Sequence, residues 1–147
     1  MLIQIAICAV LIVATTFVHA VGMSLALRWL VRAQALRLSA AAIWVRSAVV
    51  AALVLILFAA TLVEATLWAV TYRQLRALPD FGESMYFSMV TYTTLGYGDV
   101  VLDGQWRLLS ALEAANGIIM FAWTTALVIV ALRSVSKQLP RLREADE

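Results

Sequence analysis

The sequence predicts an all-α membrane protein: three transmembrane helices and one re-entrant half-helix that leads into an extended, glycine-containing stretch. Three observations predict this fold. Of 147 residues, 64% are hydrophobic, against about 45–50% in a soluble domain. The apolar residues are gathered into three long runs, and about 20 residues are enough to cross a bilayer as a helix. Between the second and third runs lies "TTLGYGD", Thr93–Asp99, which is too polar and too rich in glycine to continue a membrane helix.

The first run starts after Met1 and meets no charge until Arg28. A signal peptide has a basic start and an apolar core of about 7–15 residues. Here the start is uncharged and the run is longer, so "VHA" at Val18–Ala20 is not read as a cleavage site and a transmembrane helix is expected over 2–30. The second run follows Arg46 as "SAVVAALVLILFAATLV" and continues through Glu64 to Tyr72, giving a helix over 43–72. The third runs from Leu108 to Leu132, interrupted by Glu113, giving a helix over 105–134. Between the last two, Pro79 and Asp80 open "LPDFGESMYFSMVTYTTLGYGDVVLDGQ". Asp80 suits a helix N-cap, and Glu83 suits the positive end of a helix starting there. A helix over 82–93 would span roughly 18 Å, about half the bilayer. Non-helical backbone at that depth is tolerated only where it is buried in protein or lines a watery path. The stretch after the half-helix is therefore expected to line a hole.

Charge sets the expected orientation. Arg28, Arg32, Arg37 and Arg46 lie between the first two helices, and Arg133, Lys137, Arg141 and Arg143 follow the third. The connection between helices two and three mixes Arg73, Arg76 and Arg107 with Asp80, Glu83, Asp99 and Asp103. By the positive-inside rule the first two sets are cytoplasmic. The N-terminus and "TTLGYGD" then face outward and the C-terminus inward. Trp29 and Trp44 are expected at the inner interface, and Trp68, Tyr72 and Trp106 at the outer one. The net charge of +2 gives a nucleic-acid partner little support. The single cysteine, Cys8, excludes an intrachain disulfide and a cysteine-rich metal site. With no phosphate-binding loop, metal-spaced His/Cys set or nucleophile–base pair, no enzymatic activity and no organic cofactor are expected.

Successive carbonyls of an ordinary strand point to opposite sides. Aiming them at one axis needs backbone of alternating hand, and glycine adopts the left-handed conformation cheaply. Gly96 and Gly98 stand at alternate positions, with Tyr97 between them. At these residues the sequence resembles the tetrameric potassium channels, whose pattern is T-x-G-Y-G, often followed by Asp. The resemblance covers residues 43–134: outer helix, pore helix, selectivity filter and inner helix. It implies that Thr94, Leu95, Gly96, Tyr97 and Gly98 form the filter, with permeant potassium ions held at Thr94, Leu95, Gly96 and Tyr97. Thr93, Asp99 and the aromatic pair Tyr86 and Phe87 would support it. Leu95 departs from the commoner valine. Val90 stands where some bacterial members carry a buried acid, which implies different filter inactivation. Gly117 falls where the inner helix often has a hinge, although a helix glycine also serves close packing.

One chain supplies one filter segment, so the resemblance implies a homotetramer with lipid as its other partner. The negative ends of four pore helices would favour a cation between them. The expected organisation is an extra N-terminal helix with a basic linker over 1–42, the pore domain over 43–134 and a short cytoplasmic tail over 135–147. The implied function is passive potassium conduction across the plasma (inner) membrane. The alternatives are a subunit of a potassium transport system, whose members usually repeat the pore unit with a degenerate filter, and an accessory channel subunit. The second helix lacks regularly spaced arginines, so no voltage sensor is expected. Intramembrane acids are functional candidates. Glu113 is expected to brace the filter scaffold from beside the pore helix, with proton sensing as the alternative, Glu64 to reach water near the outer interface, and His19 to be packed or hydrogen-bonded within helix one, with sensing again as the alternative.

Overall fold

The computed structural model describes residues 2–36 and 43–136, and every regular element among them is helical. The chain forms α1 (Leu2–Ala35), α2 (Ile43–Gln74), α3 (Phe81–Tyr92) and α4 (Arg107–Ser136). Helices α1, α2 and most of α4 are long and apolar enough to cross a membrane, so the chain is an all-α membrane protein. Arg37, Lys137, Arg141 and Arg143, with most of the expected tail, lie outside the described residues.

The helices outrun their expected ends. α1 has 34 residues, about 51 Å at 1.5 Å per residue, well beyond a hydrocarbon core of about 30 Å. Nothing in "WLVRAQA" breaks a helix, so it continues past Arg28 and Arg32 to Ala35. α2 continues to Gln74 and closes in a Schellman motif. The Ala77 amide donates to the Tyr72 carbonyl (3.0 Å) and the Arg76 amide to the Arg73 carbonyl (3.2 Å). Arg76 takes the left-handed position at φ 53, where glycine is usual. No glycine marked this stop, so the sequence pattern placed it early.

The chain divides into two compact units, Met1–His19 with Ala60–Ala122 and Ala20–Ala59 with Trp123–Glu147. The second is held by Ala26, Leu30, Val49, Leu53, Leu57, Leu127 and Ala131, all buried. The first, which carries α3 and "TTLGYGD", is built around Trp68, Tyr72, Phe87, Tyr92, Leu102, Leu109 and Met120. Trp68 and Tyr72 are fully buried, which corrects the expectation that they anchor the outer interface. They form the core behind α3, where Tyr72 meets Phe87 edge-on at 5.2 Å. Trp44 at the start of α2 is exposed, as an interfacial residue would be.

Candidate functional site: the short helix and the stretch that follows it

The start of α3 is fixed by Asp80. Its extended backbone (φ −142, ψ 172) makes it the N-cap, and its carboxylate accepts the Glu83 amide at 2.9 Å. The Asp80 carbonyl also accepts the Ser84 hydroxyl at 2.7 Å. The helix has 12 residues, the length expected of a segment that enters the bilayer and stops.

The end of α3 shapes the stretch that follows. The Leu95 amide donates to the Val90 carbonyl (2.9 Å) and the Thr94 amide to the Thr91 carbonyl (2.9 Å). This is again a Schellman closure, with Thr94 at its left-handed position, φ 60. The Gly96 amide also reaches the Val90 carbonyl, at 3.2 Å. In a trans peptide the N–H and C=O point in opposite directions. With the Leu95 and Gly96 amides both turned toward Val90, the Thr94 and Leu95 carbonyls both point away from α3. Gly96 (φ 57) and Gly98 (φ 80) are left-handed, whereas Leu95 and Tyr97 are not. The backbone therefore alternates in hand from Thr94 to Gly98, the arrangement that aims successive carbonyls to one side. The two glycines announced this in the sequence. Thr94 did not, because a β-branched residue with positive φ is an outlier that only the helix closure explains.

The flanking residues divide. The Tyr86 hydroxyl donates to Asp99 Oδ2 at 2.6 Å, tying the far end of the stretch to α3. That hydrogen bond, helped by the Asp99 and Val100 amides, holds the Asp99 carboxyl below the usual carboxylate range. Phe87 turns the other way, into the core against Tyr72. The Thr93 hydroxyl bonds back to the Met89 carbonyl at 2.7 Å, capping α3. The stretch Thr94–Asp99 is exposed throughout. Beside it a cleft of about 570 Å³ is bounded by Tyr86, Phe87 and Val90 of α3, by Thr94, Gly96 and Gly98, and by Ser110 and Ala114 of α4.

Behind α3 the side chains are polar and buried. Glu113 Oε2 accepts the Tyr72 hydroxyl at 2.6 Å. The Ser88 hydroxyl of α3 lies within hydrogen-bond reach of Glu113 Oε1 and of the Ala65 carbonyl, at 2.8 Å. Glu113 thus joins α4, α2 and α3, the bracing arrangement expected of it. Glu64 does not reach water. It is fully buried, because His19 and Tyr92 supply a hydrogen-bonding site for each carboxylate oxygen. Pairing across such sequence distances leaves no local signal. Thr15 of α1 accepts from Asn116 Nδ2 of α4 at 2.7 Å. Gly117 is packed so closely that a Cβ there would lie 1.9 Å from the Tyr92 carbonyl oxygen, which is by itself sufficient reason for glycine.

Among the described residues, no group of three or more His, Cys, Asp or Glu side chains could hold a metal ion. The arrangement can instead offer backbone oxygens. A protein-family model described as an ion channel matches residues 47–134. No curated protein and no solved structure matches the chain.

Proposed function

Because the chain belongs to this ion channel family, with a domain of the two-transmembrane potassium-channel type, we propose that it is a potassium-selective channel that works as a homotetramer. The observation that carries this reading is the alternating backbone hand at Thr94, Gly96 and Gly98, with the Leu95 and Gly96 amides turned back to Val90. Carbonyls aimed to one side can replace the water shell of a cation. Four copies around an axis would make rings from the Thr94, Leu95, Gly96 and Tyr97 carbonyls, and the Thr94 hydroxyl would add oxygens at the inner end. Polar backbone cannot face lipid at this depth, so the exposure of Thr94–Asp99 in one chain supports neighbouring copies and a watery axis. The cleft beside the stretch is where a neighbouring copy would pack. Basic residues at one end of α1 and α2 (Arg28, Arg32, Arg46) and at the end of α4 (Arg133) favour placing those ends in the cytoplasm, with the filter opening outward. Ions then move passively down their gradient across the plasma (inner) membrane.

The test is ion flux through the protein purified alone and reconstituted in liposomes. Potassium should pass and sodium should be largely refused. Absence of flux would point to an accessory subunit, and equal flux of both ions would reject potassium selectivity.

A further inference from the structure

Helix α1 is not part of the segment matched by the family model, which begins at residue 47, yet the structure connects it to the candidate filter. His19 Nδ1 of α1 lies 2.9 Å from Glu64 Oε1 of α2. Glu64 Oε2 accepts the hydroxyl of Tyr92, the last residue of α3, at 2.7 Å. All three side chains are fully buried. Tyr92 stands two positions before Thr94, where the left-handed turn into the stretch occurs. Its carbonyl is the group against which Gly117 of α4 packs, and its ring meets Phe121 of α4 at 6.3 Å. The root of the stretch is therefore held at one end by a relay through α2 to α1, and on its backbone by α4.

Resting on the potassium-channel reading above, we infer that His19 and Glu64 are positioning residues for ion selection: through Tyr92 they fix the root of the filter, and α1 is a working part of the pore. The Glu64 carboxylate is the centre of the relay, with one oxygen toward α1 and the other toward α3. Removing either outer group leaves a buried carboxylate oxygen short of a partner, which costs more than the hydrogen bond itself contributed. The carboxylate then shifts toward the group that remains, and the Tyr92 ring shifts or loses its anchor. Thr94 follows Tyr92 by a single tight closure, so the displacement reaches the carbonyls that must match the ion. A side chain that only packs would lower stability on removal and leave discrimination unchanged. Removing a member of the relay lowers discrimination.

The experiment compares potassium and sodium flux in liposomes holding the full chain as wild type, H19L, H19N, Y92F, the H19L/Y92F double variant and C8A. Y92F removes one hydroxyl and keeps the ring; H19N keeps an N–H donor near the place of Nδ1. H19L and Y92F should each reduce the potassium-to-sodium ratio about ten-fold, the equivalent of one hydrogen bond to a charged group. The double variant should fall little further, because both changes break one relay. H19N should recover most of the ratio, and C8A, a buried change on α1 outside the relay, should retain all of it. If H19L does not assemble, Y92F and H19N carry the comparison. A selective wild type with an equally selective Y92F, or losses in H19L and Y92F that simply add, would overturn the relay and leave the channel reading standing. A wild type that conducts but does not discriminate would overturn that reading and the relay with it.

Discussion

Gly98 and Gly117 would both be disturbed by a methyl group, for different reasons. At Gly98 a Cβ meets nothing within 4 Å, but φ is +80. Alanine there would cost about 1–2 kcal/mol of backbone strain or move the carbonyls. Gly98→Ala should therefore lose potassium conduction or its preference over sodium while still assembling. Leu102→Ala, which removes a buried core side chain, should lower stability by about 2–5 kcal/mol and leave selectivity nearly intact. Paired flux and thermal-unfolding measurements separate the two effects. Gly117→Ala should lower the melting temperature, since overpacking typically costs about 1–3 kcal/mol and the obstacle is backbone. The same scale decides Glu113. Glu113→Gln keeps an acceptor for Tyr72 and gains a donor for Ser88, so it should be tolerated. Glu113→Ala leaves both hydroxyls without that partner and should cost about 1–3 kcal/mol, read as a lower unfolding temperature of the detergent-solubilised protein. The glycines were legible in the sequence because left-handed backbone has few residue types to serve it. The pairing of Glu64 with His19 and Tyr92 was not, because hydrogen-bond partners 45 and 28 residues away carry no spacing rule.

At the scale of elements, α3 was legible from its cap. Asp80, Glu83 and a run of half-bilayer length predicted a helix over 82–93, and Phe81–Tyr92 forms. Asp80→Ala should cost about 1 kcal/mol through loss of the cap and loosen the start of α3, visible as faster amide exchange at Glu83 and Ser84. The long helices were legible in existence but not in extent. Apolar composition marks what the bilayer covers, and α1 continues beyond it with Arg28 and Arg32 still helical. Topology is checked by labelling. A cysteine at Gln34, near the end of α1, should react only with reagents that reach the cytoplasm, and one at Asp103 should react from outside. Native Cys8 is buried and should add little background. Labelling of position 34 from outside would overturn the proposed orientation.

At the scale of the molecule, the exposed apolar side chains of α4, among them Leu108, Ile118, Ile119 and Phe121, can be covered by lipid or by a neighbouring copy. The exposed backbone from Thr94 to Asp99 cannot be covered by lipid. The sequence marked the polar, glycine-rich stretch as one that lipid does not cover, but along α4 it reads apolar surface and not which side chains meet lipid and which a neighbouring copy. α2 carries Arg46 and Arg73 only near its ends, so few charges can move through the membrane field. Each full elementary charge contributes about 2.3 kcal/mol per 100 mV, and open probability in planar bilayers should therefore depend only weakly on voltage. A steep response would show a sensor elsewhere in the chain. The proposed selectivity for potassium resides in the backbone from Thr94 to Gly98. Its most direct test is the reversal potential of the purified chain in a planar bilayer with potassium on one side and sodium on the other. A potassium-selective backbone should give a reversal on the order of 100 mV from zero, about 59 mV for each ten-fold preference, toward the value for potassium. A reversal near zero would contradict it.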